Sequence, residues 1–235
     1  MKNSVFKKVI AAGVLAASLI PAAHATSLQA VQGDNVVFYY DTELWGVGAF
    51  SVSGNTITFN ISDDFDLIAK SSSTLTNKTD SATMRKAFSA LVIQAKNGYT
   101  LGPKLNFGIT DASATIANGS VTNSLELGVE AGYMSGNSFL ATSYLGSYSA
   151  SGSAFWSGSP TGTSSFTISP QNANLLGLGV TLDSVLIQYG NGTSTSTLDK
   201  VMFGVNVSAV PEPETYAMML AGLGLIGFAA RRRKQ

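Results

Sequence analysis

The sequence predicts an all-β fold of short antiparallel strands, with one apolar helix at each end. Three observations predict it. Apolar and polar residues alternate with period two in several short runs, the spacing that puts one face of a strand on a core. Gly-Asn and Asn-Gly steps between those runs favour tight turns. Only 12% of residues are charged while Gly, Ser, Thr and Asn are frequent, a composition suited to many short strands joined by turns.

Residues Met1 to Ala25 carry Lys2, Lys7 and Lys8, then an apolar run from Val9 to Ile20, then Pro21 and the small-residue site Ala23-His24-Ala25. This pattern predicts a secretory signal helix cleaved after Ala25. The apolar run is too short to be a membrane span, which needs roughly twenty residues. The middle, 26–209, is then a single domain, large enough to bury a core.

Within that domain, strands are predicted near 35–40, 46–52 and 56–61, with Ser53-Gly54-Asn55 turning the last pair into a hairpin. Next come Asp63, Asp64 and Asp66, followed by a polar stretch through Asp80. Oxygen-only clusters of this kind hold Ca²⁺ in some loops. The spaced Asp/Asn/Gly loop of an EF-hand is absent, so a solvated turn is the favoured reading and calcium the functional alternative.

Lys86 to Ala95 reads as a strand and Tyr99 to Ile109 as its hairpin partner across Asn97-Gly98, with Gly102-Pro103 as a bulge or kink. A further hairpin is predicted around Asn118-Gly119, joining 112–117 to 120–129. Its alternation points Glu126 and Glu130 to solvent, about 13 Å apart along the strand at roughly 3.3 Å per residue. That exceeds the separation of either glycosidase carboxylate pair, so the two do not form a catalytic dyad.

Ser143 to Ser165 is low in complexity: serine, threonine and glycine fill 15 of 23 positions. A long flexible loop with tucked aromatics is the favoured reading. A sugar-contacting loop is the functional alternative, with Tyr144, Tyr148 and Trp156 stacking on rings. Strands near 165–168, 180–189 and 198–207 close the domain, and Thr193 to Thr197 is predicted as an exposed hairpin loop. Its three alternating threonines raise an ice-binding reading, but the array is short.

The last segment, 210–235, has three parts in order. Val210, Pro211, Glu212 and Pro213 come first, and the two prolines predict an extended, accessible stretch. An apolar run from Thr215 to Ala230 follows, carrying Gly222, Gly224 and Gly227. As a helix it would span about 24 Å, short of a hydrocarbon core of about 30 Å, so a single, marginal membrane helix is predicted. Arg231, Arg232, Arg233 and Lys234 then act as a cytoplasmic stop.

This tail resembles the PEP-CTERM sorting signal of Gram-negative bacteria over its whole length. The resemblance implies recognition at Val210, Pro211, Glu212 and Pro213 by an exosortase-type membrane enzyme, with Arg231 to Lys234 as the stop. It implies a protein held at the inner membrane, processed, and delivered to the cell surface or matrix of a bacterium that makes exopolysaccharide. The stretches A-L-V-I-Q-A-K-N-G-Y and D-K-V-M-F-G-V-N-V-S-A-V-P-E-P also resemble the bodies of secreted PEP-CTERM proteins, which implies an antiparallel β-sandwich of jelly-roll-like type.

Setting both ends aside changes the charge balance. The whole chain has 14 basic and 14 acidic residues, but 26–209 keeps 7 basic against 12 acidic. Nucleic acid is therefore not a predicted partner, since its phosphates require clustered Lys and Arg. The chain has no cysteine, and its single histidine is His24. Beyond Ala25 there is no disulfide, thiol nucleophile, histidine metal site or Ser-His-Asp triad. No cofactor fingerprint is present. The expectation is a non-enzymatic surface or matrix protein associated with exopolysaccharide. The alternatives are a secreted glycosidase or lyase working with carboxylates alone, and an ice-binding or other adhesive protein.

Overall fold

The computed structural model describes residues 28–167, 174–210 and 213–232. The signal-peptide reading, including Ala23 and Ala25, lies outside the described residues. The chain runs β1 (Leu28–Gln32), β2 (Val36–Asp41), α1 (Thr42–Trp45), β3 (Phe50–Ser53), β4 (Thr56–Asn60) and a 3₁₀ turn (Asp63–Phe65). It continues through β5 (Leu67–Ser71), β6 (Lys78–Ala95), β7 (Tyr99–Thr115), β8 (Gly119–Ser135), β9 (Ser138–Ala154) and β10 (Gly162–Thr167). The last elements are β11 (Leu175–Gln188), β12 (Gly192–Ala209) and α2 (Pro213–Arg232).

The strands form two antiparallel sheets. Sheet I has the order β1-β2-β6-β11-β8-β9, and sheet II the order β10-β7-β12-β4-β3, with β5 also paired to β12. One buried cluster takes side chains from both, including Leu91, Leu125 and Leu178 from sheet I and Phe59, Phe107 and Phe203 from sheet II. Strict alternation sends these residues inward, so their burial follows directly from the period-two pattern.

Trp45 is the keystone at one end of this cluster. Its indole stacks on Phe59 with centroids 4.1 Å apart and meets Phe203 edge-on at 5.8 Å. Its Nε1–H donates to the carbonyl of Ala90 at 2.8 Å, so the one polar atom of the ring is satisfied where it is buried. The short α1 that carries it starts because Asp41 accepts from the backbone N–H of Glu43 at 2.9 Å. The other oxygen of Asp41 takes the ammonium of Lys86, so this buried carboxylate is fully engaged. After Trp45, Gly46 and Gly48 take φ of 78° and 75°, a conformation that ends any strand. That is why the strand expected over 46–52 begins only at Phe50.

Several expected pairings are corrected. β6 and β7 do not form a hairpin: β6 pairs β11 and β2, and β7 pairs β12 and β10. Likewise β7 and β8 lie in different sheets, so Asn97-Gly98 and Asn118-Gly119 are corners where the chain crosses between sheets. A tight turn needs the same residues in either role. Only the inward pattern of two distant strands decides which partner a strand takes. The Gly54-Asn55 turn does join hairpin partners, β3 and β4. The expected irregularity at Gly102-Pro103 is a bulge, where three residues of β7 stand opposite Asn206.

Most of the serine-rich stretch is strand, and only 155–161 connect as a loop. Residues 143–154 complete β9, the edge of sheet I, and Gly162–Thr167 form β10, the edge of sheet II. These edges close on one another. A Cβ on Gly152 would strike the carbonyls of Pro160 and Thr161, and one on Gly162 that of Ser151, so glycine is required at both. Thr193, Thr195 and Thr197 similarly belong to β12 and not to a loop.

A polar rung divides the interior. Ser184 donates to the side-chain carbonyl of Asn123 at 2.7 Å, and the Asn123 amide donates to the carbonyl of Pro160 at 3.2 Å. Beyond it lies a smaller cluster of Leu67, Ala69, Ala114, Val121 and Leu186. Both side chains of the rung are paired, so it adds order without leaving Asn123 or Ser184 unbonded.

Candidate functional site

The tail leaves the domain abruptly. The backbone N–H of Val210 donates to the carbonyl of Gly98 at 2.8 Å, so β12 is tied to the β6–β7 corner up to the residue before Pro211. Pro211 and Glu212 lie outside the described residues. Pro213 does not continue an extended stretch: it opens α2, where its preset φ suits a first helical residue and its missing N–H leaves nothing unpaired. Along the described part of α2, Met218, Leu223, Leu225 and Ile226 all face solvent, and space is open around Gly222 and Gly224. Arg231 and Arg232 end the helix, and Arg233 and Lys234 fall outside the described residues. Among the described residues no helix is long and apolar enough to cross a membrane.

The three aspartates do not converge. Asp63 and Asp64 start the 3₁₀ turn, Asp64 accepts from Ser62 at 3.2 Å, and Asp66 closes the turn through its backbone N–H to Asp63. Phe65 between them is buried and anchors the turn. No group of three or more His, Cys, Asp or Glu side chains able to hold a metal ion occurs among the described residues.

Nor do the three aromatic candidates form one platform. Tyr148 points inward and stacks on Phe166, with centroids 3.9 Å apart. Tyr144 is 62% exposed and Trp156, in the turn after β9, is 77% exposed. Only the last two are available to a ligand.

Glu130 departs most from expectation. Glu126 faces solvent as predicted, but Glu130 is only 6% exposed, and its Oε2 has no hydrogen-bond partner. The cause is a small second hydrophobic layer on the outside of sheet I. Phe139 folds back over Gly132 and Gly177, so closely that a Cβ on either would strike its ring. Leu28 and Val92 complete that layer, with Met134 and Leu175 against it. Burial there raises the Glu130 carboxyl above its ordinary value of 4.5. Asp41 and Glu130 are the buried carboxylates among the described residues, and Asp41 is already committed to Lys86 and the α1 cap. The signals for this burial were Gly132, Gly177 and Phe139, which sequence spacing alone does not bring together.

The fold and its exposed apolar tail define an all-β domain carrying a C-terminal address segment. Residues 209–234 match the family model for the PEP-CTERM protein-sorting motif, so the chain carries that motif. The motif marks it as an exported, exosortase-sorted extracellular protein whose C terminus is membrane-anchored and processed by that membrane enzyme. No curated protein matches the chain. Among solved structures, Eiger TNF from S. frugiperda is 8% identical with a TM-score of 0.23, covering 63% of this chain and 96% of that one. The VP2 subviral particle of infectious bursal disease virus is 11% identical with a TM-score of 0.22, covering 68% of this chain and 42% of that one. At such scores neither bears on fold or function.

Proposed function

We propose that the chain is a non-enzymatic surface or matrix protein, released near the membrane by processing of its tail and retained outside the cell by association with exopolysaccharide. The observation that carries this reading is the junction at Val210. A domain hydrogen-bonded up to that residue is followed at once by the sorting motif and an uncovered apolar helix. Two sheets around a shared cluster support a jelly-roll-like sandwich as the cargo. The apolar side chains of α2 support a membrane-associated precursor, with Arg231 to Lys234 on the cytoplasmic side.

The carboxylate-only glycosidase or lyase has one feature in its favour, a buried carboxyl of raised pKa at Glu130. It needs a second carboxylate at pair distance, and Glu126 stands about 13 Å away along the strand by its four-residue spacing. The surface role is therefore preferred. In a host making exopolysaccharide, the mature protein should copurify with the polysaccharide fraction, and a strain unable to make it should shed the protein into the medium. The same distribution in both strains would defeat the proposal. The intact mass of the surface form reports processing, through loss of Arg231 to Gln235.

A further inference from the structure

The tip of the β8–β9 hairpin is folded back across sheet I. In that sheet β9 pairs only with β8, yet Phe139 lies over Gly177 of β11 and shares a buried cluster with Val92 of β6 and Leu28 of β1. The backbone N–H of Leu28 also donates to the carbonyl of Asn137 in the hairpin turn, at 3.4 Å a long bond. The tip is therefore a flap over the outer face, held by one ring, a few apolar neighbours and a weak hydrogen bond.

The fold-back has a definite hinge. The β8–β9 register slips between Val129 and Glu130 and again between Ala131 and Gly132, each time with one extra residue on β9, Leu145 and then Thr142. Bulges of this kind bend a strand and sharpen its twist. Glu130 and Ala131 are the two residues between the slips.

Glu130 thus places a carboxyl at the hinge, where it is only 6% exposed and its Oε2 has no partner. Opposite it on β11 is Gly177, the residue the Phe139 ring covers. Its row continues with Val92 of β6, which has no ionisable group, and ends in two tyrosines, Tyr144 of β9 and Tyr39 of β2. The Tyr39 hydroxyl is committed to Gln94 at 2.8 Å. The charged side chains Glu126 and Arg85 stand in the row of Thr181, four residues away along β8 and β11, and Lys86 is held by Asp41. No cation sits in the row of Glu130 to balance a carboxylate. The closed flap accommodates the neutral acid, and an unpaired buried anion opposes closure.

We propose that residues 131–141 form a pH-gated flap hinged at Glu130, closed over sheet I while the carboxyl is protonated and released when it ionises. Release hydrates the carboxylate and uncovers Phe139, Val92 and Leu28. Burial raises the carboxyl of the closed form, whereas an open flap returns it to the ordinary range, so closure is complete below both values. As pH rises between them the closed-to-open ratio falls by up to about tenfold per pH unit.

The test is hydrogen exchange of the full-length chain in mild detergent, followed by mass spectrometry from about pH 4 to about pH 8, with the intrinsic pH dependence of amide exchange divided out. Residues 132–140 should lose protection about tenfold or more as pH rises, while 101–109 of β7 stay protected. Glu130→Gln keeps a neutral group at the hinge and should hold 132–140 protected over the whole range. Gly177→Ala drives a Cβ into the Phe139 ring and should leave 132–140 exchanging fast at every pH, with 101–109 still protected. Protection of 132–140 that is independent of pH in the unaltered chain would overturn the flap, and this series decides the matter even where a variant folds poorly. A pH response that survives Glu130→Gln, with 101–109 protected, would overturn Glu130 as the trigger.

Discussion

Phe59 and Leu225 are both large apolar side chains, yet Phe59 is fully buried and Leu225 is 72% exposed. The difference separates two regions with opposite requirements. In the domain, apolar residues at alternate positions of strands meet one another across the two sheets, and each such burial contributes roughly 1.5–3 kcal/mol. In α2 Met218, Leu223, Leu225 and Ile226 all stay exposed. Hydrophobicity of the first kind makes a fold, and hydrophobicity of the second kind is an offer to something outside the chain, here a membrane or a membrane enzyme. The two should therefore respond independently to substitution.

The largest expected effect is in the core. Phe59→Ala removes the ring stacked on Trp45 and touching Phe203, and should lower domain stability by about 3–5 kcal/mol in denaturant unfolding. Binding of α2 to detergent micelles should be unchanged in the same sample. A smaller effect is expected at the β7–β8 corner. A Cβ on Gly119 would run into the carbonyl of Ile187, so Gly119→Ala should cost about 1–3 kcal/mol through a forced backbone shift. A cost near zero would mean that the corner is looser than described.

Glu130 sharpens the comparison from the outer face. Its folded carboxyl is raised by burial, so the folded state holds its proton to higher pH than the unfolded state does. Between those two pKa values stability falls as pH rises, and the full loss is present above the folded value. Glu130→Gln should flatten that dependence, read as thermal midpoints from pH 4 upward; an unchanged slope would refute it. Smallest of all on the domain is the tail. Leu223→Lys with Leu225→Lys should leave the unfolding midpoint where it was, yet abolish membrane retention of the unprocessed precursor, because two charges in an apolar run each oppose insertion by roughly 2.5–3.5 kcal/mol.

Much of the fold could be read from local pattern. β4, the second half of β6 and much of β12 follow from local pattern, and the Gly54-Asn55 hairpin from its turn residues. β5 was also legible, since Leu67, Ala69 and Ser71 alternate inward, but the surrounding polar residues masked it. The serine-rich stretch misled for a different reason. Low complexity reads as a loop unless one sees that its serines alternate with Tyr148, Ala150 and Gly152, residues that meet the interior only once β10 closes over them. The aromatic candidates divided on the same ground, Tyr148 turning in while Tyr144 and Trp156 turned out.

By itself the sequence determined the address: Val210 to Lys234 acts through residue order and apolarity, which need no tertiary partner to be read. It also determined the all-β class, because alternation is a property of the strand alone, and removed cysteine and histidine chemistry beyond Ala25. Only the tertiary structure decided that Asn97-Gly98 and Asn118-Gly119 cross between sheets, that Glu130 is buried beneath an outer apolar layer, and that serines from β9 and β8 share one face. Each of these depends on strands brought together from distant parts of the chain. Pairing of that kind is set by the burial of both faces at once and not by any local run of residues.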